Sequence, residues 1–142
     1  MDGGSPGLEM IVPGCGDVLG TEPTGRFVLG NVFYGTKTGI YEISVAEKKC
    51  IPLLPDVLAL GGVIAPDGRS FVYTTASRHN AIFYRQAWRD GKVIGPLQVA
   101  LKLPSASPLT HYGNGYDIAP DLSTVVYVRP GGHAEVYLLK KK

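Results

Sequence analysis

Between Gly62 and Tyr73 the chain reads Gly-Val-Ile-Ala-Pro-Asp-Gly-Arg-Ser-Phe-Val-Tyr, which predicts a strand, a tight turn and a second strand. Pro66 pre-sets the turn backbone, Asp67 can hydrogen-bond to its own backbone, and Gly68 accepts a positive φ. Ile64 leads into the turn. Phe71 and Tyr73 follow it two residues apart, on one face of a strand. A single hairpin constrains little, but this one recurs.

Upstream, Gly16–Gly20 leads through Glu22-Pro23-Thr24-Gly25-Arg26 into Phe27-Val28-Leu29. Two further runs, Gly39–Ser44 and Cys50–Leu53, face each other across a turn near Glu47-Lys48. These are four strands with short connections, residues 16–53. The pattern restarts in residues 62–103: Gly62–Ala65, Ser70–Thr75, Ala81–Trp88 and Leu97–Leu103. Asp90-Gly91 is a strong hairpin signal, because both turn positions favour positive φ. A third copy, residues 115–139, opens with Gly115–Ala119, turns at Pro120-Asp121 and continues as Thr124–Tyr127 and Ala134–Leu139. It stops after three strands. Pro104 to Asn114 reads as a loop.

Pro23, Pro66 and Pro120 take the same place in the three copies, separated by 43 and then 54 residues. Ile40-Tyr41, Ile82-Phe83 and Val136-Tyr137 are aligned as the shared apolar pair of each third strand. Four strands at this period predict the blades of a β-propeller. No segment carries a sustained 3.6-residue apolar pattern, so the fold class is all-β, without helix. The 19 glycines and 11 prolines fit a chain of many short strands. At 44% hydrophobic and 18% charged, the 142 residues form a folded domain and not a disordered chain.

Ala65-Pro66-Asp67-Gly68-Arg69 and Ala119-Pro120-Asp121 resemble the Pro-Asp-Gly turn of the TolB-like β-propellers, relatives of the WD-repeat proteins. The similarity covers about residues 8–140. It departs from the pattern where the first copy reads Glu-Pro-Thr-Gly and where Leu122 replaces glycine in the third. The resemblance implies a ring of six or so blades that acts as a binding platform. Such repeats are also appended to kinases, peptidases and transcription regulators, so no single activity follows from it.

Three blades cannot close a ring. The expected unit is a half-ring, preceded by a flexible leader, residues 1–7, and by an orphan strand, Leu8–Val12. The orphan strand of one copy would complete the third blade of another, pairing with Val136–Leu139. Two copies then close a six-bladed homodimer by reciprocal strand exchange, with Met10, Ile11, Val12, Val136, Tyr137 and Leu138 at the interface.

The chemistry-bearing residues point away from catalysis. There is no G-x-S-x-G, P-loop or H-E-x-x-H pattern. Asp67 and Asp121 are read as turn residues, and Asp17 and Asp117 as channel-lining acids at matching positions of the innermost strands, where the second copy has Val63. Arg78, His79, Asn80, His111, Tyr112, Arg129 and His133 fall in loops that open on one face of a propeller. They form the candidate rim for a peptide, protein or small ligand. No metal-ligand spacing is present and no cofactor is expected.

Net charge is +2, but Lys140–Lys142 supply three of the 14 basic residues, and the 11 others face 12 acidic ones. That balance gives no electrostatic case for a nucleic-acid partner. No apolar run is long enough to span a membrane, and the N-terminus lacks the pattern of a secretory signal, so the default expectation is the cytoplasm. Cys15 and Cys50 are too few for a disulfide framework. Free thiols are the default expectation, with a bridge between them as the alternative. The leading function is therefore a non-enzymatic binding or scaffold module that self-associates. The alternatives are a sensory or regulatory propeller from a larger signalling protein, or the accessory propeller of a hydrolase.

Overall fold

The computed structural model describes residues 15–32, 38–75, 80–104, 109–110, 113–114, 116–119, 124–128 and 134–138. Among these residues every regular element is a strand. The first sheet is an antiparallel meander of β1 (Asp17–Thr21), β2 (Phe27–Val32), β3 (Gly39–Ser44) and β4 (Lys49–Pro55), in spatial order. The second repeats it with β5 (Ala59–Ile64), β6 (Ser70–Thr75), β7 (Asn80–Arg89) and β8 (Lys92–Pro104). A small ladder of β9 (Leu109–Thr110) with β10 (Gly113–Asn114) lies within the segment expected to be loop. The third sheet has three strands, β11 (Tyr116–Ile118), β12 (Thr124–Val128) and β13 (Ala134–Leu138).

The opening hairpins of the three sheets share one hydrogen bond. Each β-hairpin at the start of a sheet is closed by the same contact: Glu22 N donates to Phe27 O at 3.0 Å, Ala65 N to Ser70 O at 2.8 Å, and Ala119 N to Thr124 O at 2.9 Å. Inside the first two turns, Gly25 N donates to Glu22 O at 2.8 Å and Gly68 N to Ala65 O at 2.9 Å, with φ of 74° and 64°. The Glu-Pro-Thr-Gly departure therefore keeps the turn geometry, because its glycine keeps the left-handed position. Leu122, at the equivalent place in the third copy, lies outside the described residues. Asp90 and Gly91, with φ of 50° and 72°, form the expected β7–β8 hairpin.

Ladder register corrects one alignment. Asn31 pairs with Ile40, Thr74 with Phe83 and Val128 with Ala134, so Phe83 and Ala134, not Ile82 and Val136, stand where Ile40 stands. Matching short apolar pairs cannot fix register where apolar residues occupy both phases of a strand, and a one-residue slip exchanges the faces.

The sheets stack face to back. Leu29, Ile40 and Leu53 on the front face of the first sheet pack against Ile64, Phe71, Tyr73 and Trp88 on the back face of the second. Phe71 and Trp88 meet edge to face at 5.5 Å between centroids. The front face of the second sheet, through Val72, Ala81 and Phe83, packs in turn on Ile118 and Val125 of the third. By the turn hydrogen bonds, Ile118 and Val125 are the counterparts of Ile64 and Phe71. These matching positions are buried against the preceding sheet in both the second and the third sheet. β6 is buried on both sides, which is why its sequence, Ser-Phe-Val-Tyr-Thr-Thr, carries no charged residue. The described residues form an open stack of three sheets and no closed ring.

The expectation of free thiols is overturned. Cys15 and Cys50 form a disulfide with Cα atoms 6.3 Å apart, within the range such a bridge spans. The meander carries β4 to the far side of its sheet, and Cys15, two residues ahead of β1, reaches Cys50 on it.

Candidate functional site

Of the predicted rim, only Asn80 lies in the described residues, half-buried at the start of β7 opposite Pro104. Arg78, His79, His111, Tyr112, Arg129 and His133 lie outside them, as do Met10, Ile11 and Val12. Val136, Tyr137 and Leu138 stand on β13, which among the described residues is an edge strand of the third sheet. Asp17 and Asp117 are not counterparts. Asp117 pairs with Val126 as Val63 does with Val72 and Gly20 with Leu29, whereas Asp17 pairs with Asn31. The irregularity between Val18 and Gly20 shifts β1, and counting residues back from the turn does not reveal it.

What the structure does bring together lies between the first two sheets, at the end where the Glu22–Gly25 and Pro66–Gly68 turns sit. There a cleft of about 200 Å³ is bounded by Arg26, Arg69 and Arg89 and floored by Glu42 and Trp88. Glu42, on β3, is 2% exposed. Its Oε2 accepts from Trp88 Nε1 at 2.8 Å and from Gly91 N at 3.3 Å. A charge this deep is tolerated only when donors meet it, and both donors come from the neighbouring sheet. Gly91 has no room to change. A Cβ there would sit 3.2 Å from Ile51 Cγ2, and its φ is 72°.

At the cleft mouth, Glu22 accepts from the Thr24 hydroxyl at 2.5 Å and from the Thr24 amide at 3.1 Å. The Thr24 side-chain hydrogen bond is the main cause that holds the Glu22 carboxyl below its ordinary range, against an opposing effect of burial. The Arg26 guanidinium lies 5.4 Å from the Phe27 ring centroid and donates to Thr24 Oγ1 at 3.0 Å. Deeper in the same interface, Asn31 Nδ2 donates to Ala59 O at 2.5 Å, while its buried Oδ1 has no protein partner.

A second cleft, of about 300 Å³, occupies the same place on the front face of the second sheet. Arg69, Ser70 and Arg85 stand there where Arg26, Phe27 and Glu42 stand in the first copy, and Arg85 donates to Ser70 Oγ at 2.9 and 3.2 Å. At this matching register position the first two sheets therefore carry opposite charge. Glu42 ties two sheets together, while Arg85 is held within its own sheet.

Chemically the first cleft offers guanidinium donors around a carboxylate already engaged by two N–H groups. Among the described residues no group of three or more His, Cys, Asp or Glu could hold a metal ion. No described helix is long and apolar enough to cross a membrane. Glu42 and Trp88 escape a sequence reading because neither lies in a turn or a motif. Their one signal is phase, since Glu42 shares the alternate positions of β3 with Ile40 and Ser44. Compared with known proteins, the sequence matches no family model and no curated protein.

Proposed function

We propose that the chain is a non-enzymatic binding or scaffold module, half of a TolB-like β-propeller, and that two copies close a six-bladed ring. The observation that carries this reading is the face-to-back stacking. Ile64 and Phe71 bury against the first sheet as Ile118 and Val125 bury against the second. A stack in which each copy presents the same face to the next has no internal reason to stop at three, and closing it removes its open ends. The edge strand β13, five residues long, supports the strand exchange, since Leu8–Val12 offers a segment of matching length. A structural role for the acids also favours binding over catalysis. Glu42 is engaged between sheets, Glu22 by Thr24, and Asp67 Oδ1 accepts from Arg69 N at 2.8 Å within its turn.

Light scattering on the native chain tests the proposal. The expected mass is twice 15.1 kDa, and a mass near 15.1 kDa across micromolar concentrations removes it. Deleting residues 1–12 should change the mass or cause aggregation by leaving β13 unpaired; an unchanged dimer removes the strand exchange.

A further inference from the structure

The first turn departs from the second in its side chains and not in its backbone. By their closing hydrogen bonds Glu22 stands where Ala65 stands, and Thr24 where Asp67 stands. Asp67 Oδ1 accepts from the Arg69 amide, so its side chain serves the backbone of its own turn. Thr24 instead links two side chains. Its hydroxyl donates to Glu22 Oε2, and its oxygen accepts from Arg26 Nε at 3.0 Å. Glu22, the anchor of this link, is 6% exposed. It sits against the second turn, where a Cβ on Gly68 would meet its Oε1 at 3.0 Å. The exposed Arg26 is thus held through Nε, with the Phe27 ring 5.4 Å from its guanidinium carbon. Among the described residues its terminal nitrogens meet no acceptor.

Arg69 and Arg89 of the second sheet line the same cleft. Among the described residues no acid forms an ion pair with any of these three arginines. The acids of the lining are Glu22, Glu42 and Asp90. Glu22 is engaged by Thr24, and Glu42 by Trp88 Nε1 and Gly91 N. Three guanidinium groups against three carboxylates leave the lining neutral overall. A polyanion would therefore gain little here and would be repelled by the acids. A single carboxylate asks less, because the planar fork of a guanidinium meets its two oxygens in parallel hydrogen bonds. The volume also decides. At about 200 Å³ the cleft is smaller than the roughly 300–1,000 Å³ of sites for drug-sized ligands, so it suits one group of a larger molecule.

We propose that this cleft binds a carboxylate of a peptide partner, an acidic side chain or a chain end. Arg26, Arg69 and Arg89 are its donors, and Glu22 and Thr24 are positioning residues for Arg26. The Glu-Pro-Thr-Gly sequence of the first turn is then the device that fixes one donor before the ligand arrives. The inference rests on the reading of the chain as a binding module, and it does not require the ring.

The chain's one tryptophan, Trp88, floors the cleft, so its indole N–H gives a single magnetic-resonance signal there. The test titrates the full chain with acetyl-Gly-Asp-Gly-amide, with acetyl-Gly-Asn-Gly-amide, with acetyl-triglycine bearing a free C-terminus, and with inorganic phosphate. The indole and arginine Nε–H signals are followed, and dispersed amide spectra check that each variant keeps the fold. Saturable shifts are expected with the aspartyl peptide or the free chain end, which separates the two sources, and none with the asparaginyl peptide. Arg26→Ala should weaken binding by roughly tenfold or more, as loss of a bond to a charged group does. Thr24→Val should weaken it as well, while Thr24→Ser, which keeps the hydroxyl, should retain native affinity. Equal shifts with the aspartyl and asparaginyl peptides, tighter binding of phosphate than of either carboxylate, or unchanged affinity in Arg26→Ala overturns the site. Native affinity in Thr24→Val overturns the positioning role. No shift in a chain that still scatters as a dimer removes the site and leaves the scaffold standing, whereas a monomer that binds the carboxylate supports the site and removes the ring alone.

Discussion

The contact between Glu42 and Trp88 joins residues 46 apart in sequence and couples two sheets through one carboxylate oxygen. Replacing Trp88 by Phe removes the donor at 2.8 Å and leaves Oε2 with the longer contact from Gly91 N at 3.3 Å. Replacing Glu42 by Met keeps the volume and removes the charge, but strands the indole N–H in a site that is 4% exposed. Each single change leaves one buried polar group without its partner, at a cost of about 2–3 kcal/mol for a bond to a charged group. The double variant removes both groups, so its cost falls short of the sum by about 2 kcal/mol, a large coupling for one pair. Urea unfolding at fixed protein concentration measures all four corners, and fixing the concentration keeps any self-association constant. In thermal unfolding the same coupling corresponds to roughly 4–8 °C for a chain of this length. Additivity within about 0.5 kcal/mol would refute the reasoning, because it would mean that the carboxylate does not hold the two sheets together.

Gly68→Ala should cost more than Gly25→Ala, although both glycines lie at positive φ. An added Cβ at Gly68 meets Glu22 Oε1 at 3.0 Å, whereas at Gly25 nothing lies within 4 Å. The backbone term is about 1–2 kcal/mol at each site, and equal losses in chemical denaturation would count against a contact between the two turns. Loss of the Cys15–Cys50 bridge, which spans a sequence separation of 35, should lower stability by about 3–4 kcal/mol on the chain-entropy model, read as a drop in urea midpoint under reducing conditions. Glu22 has a folded pKa below its ordinary 4.5, so its contribution is complete above pH 4.5 and is lost as pH falls through the folded value. Glu22→Gln should flatten the acid limb of the stability profile; an unchanged limb contradicts the Thr24 assignment. Tyr73 is shifted upward, chiefly because burial disfavours the tyrosinate. Its contribution is complete below about pH 10 and fades as pH rises through the higher folded value, so a Tyr73→Phe variant should resist alkaline unfolding better than the native chain.

Local turn chemistry made most of the architecture legible. Pro66-Asp67-Gly68 and Asp90-Gly91 encode their backbone angles in adjacent residues, and strands flanking such turns can be placed without knowing what packs on them. The register of the third strands was not legible, because Ile82-Phe83 supplies an apolar residue to each phase and only the ladder with β6 decides which faces where. The disulfide was hidden for a related reason. Cys15 and Cys50, 35 residues apart, are brought together by the four-stranded meander and by the turn at Gly16, neither of which their own neighbours in sequence encode. Glu42 was hidden most deeply, since a glutamate in a strand reads as solvated until its neighbouring sheet supplies an indole.

The phase of β3 then becomes informative. Its alternate residues Ile40, Glu42 and Ser44 include two polar groups, yet they form the face buried against the second sheet. The opposite phase contains Ile43, an apolar side chain left half-buried beside the disulfide and Gly30. A strand that kept its polar phase for water would be the other way round. The inversion is what a sheet flanked on both sides would carry. The front side is already filled by Phe71, Tyr73 and Trp88 and needs a fixed polar tie to set its register. The back side keeps apolar residues in partial contact with water, with Val18 67% exposed and Val28 and Ile43 half-buried. If two copies close a ring as proposed above, replacing Ile43 by a charged residue should weaken that association far more than it weakens the packing of Trp88 on Glu42, and equal weakening of both would count against the proposed ring.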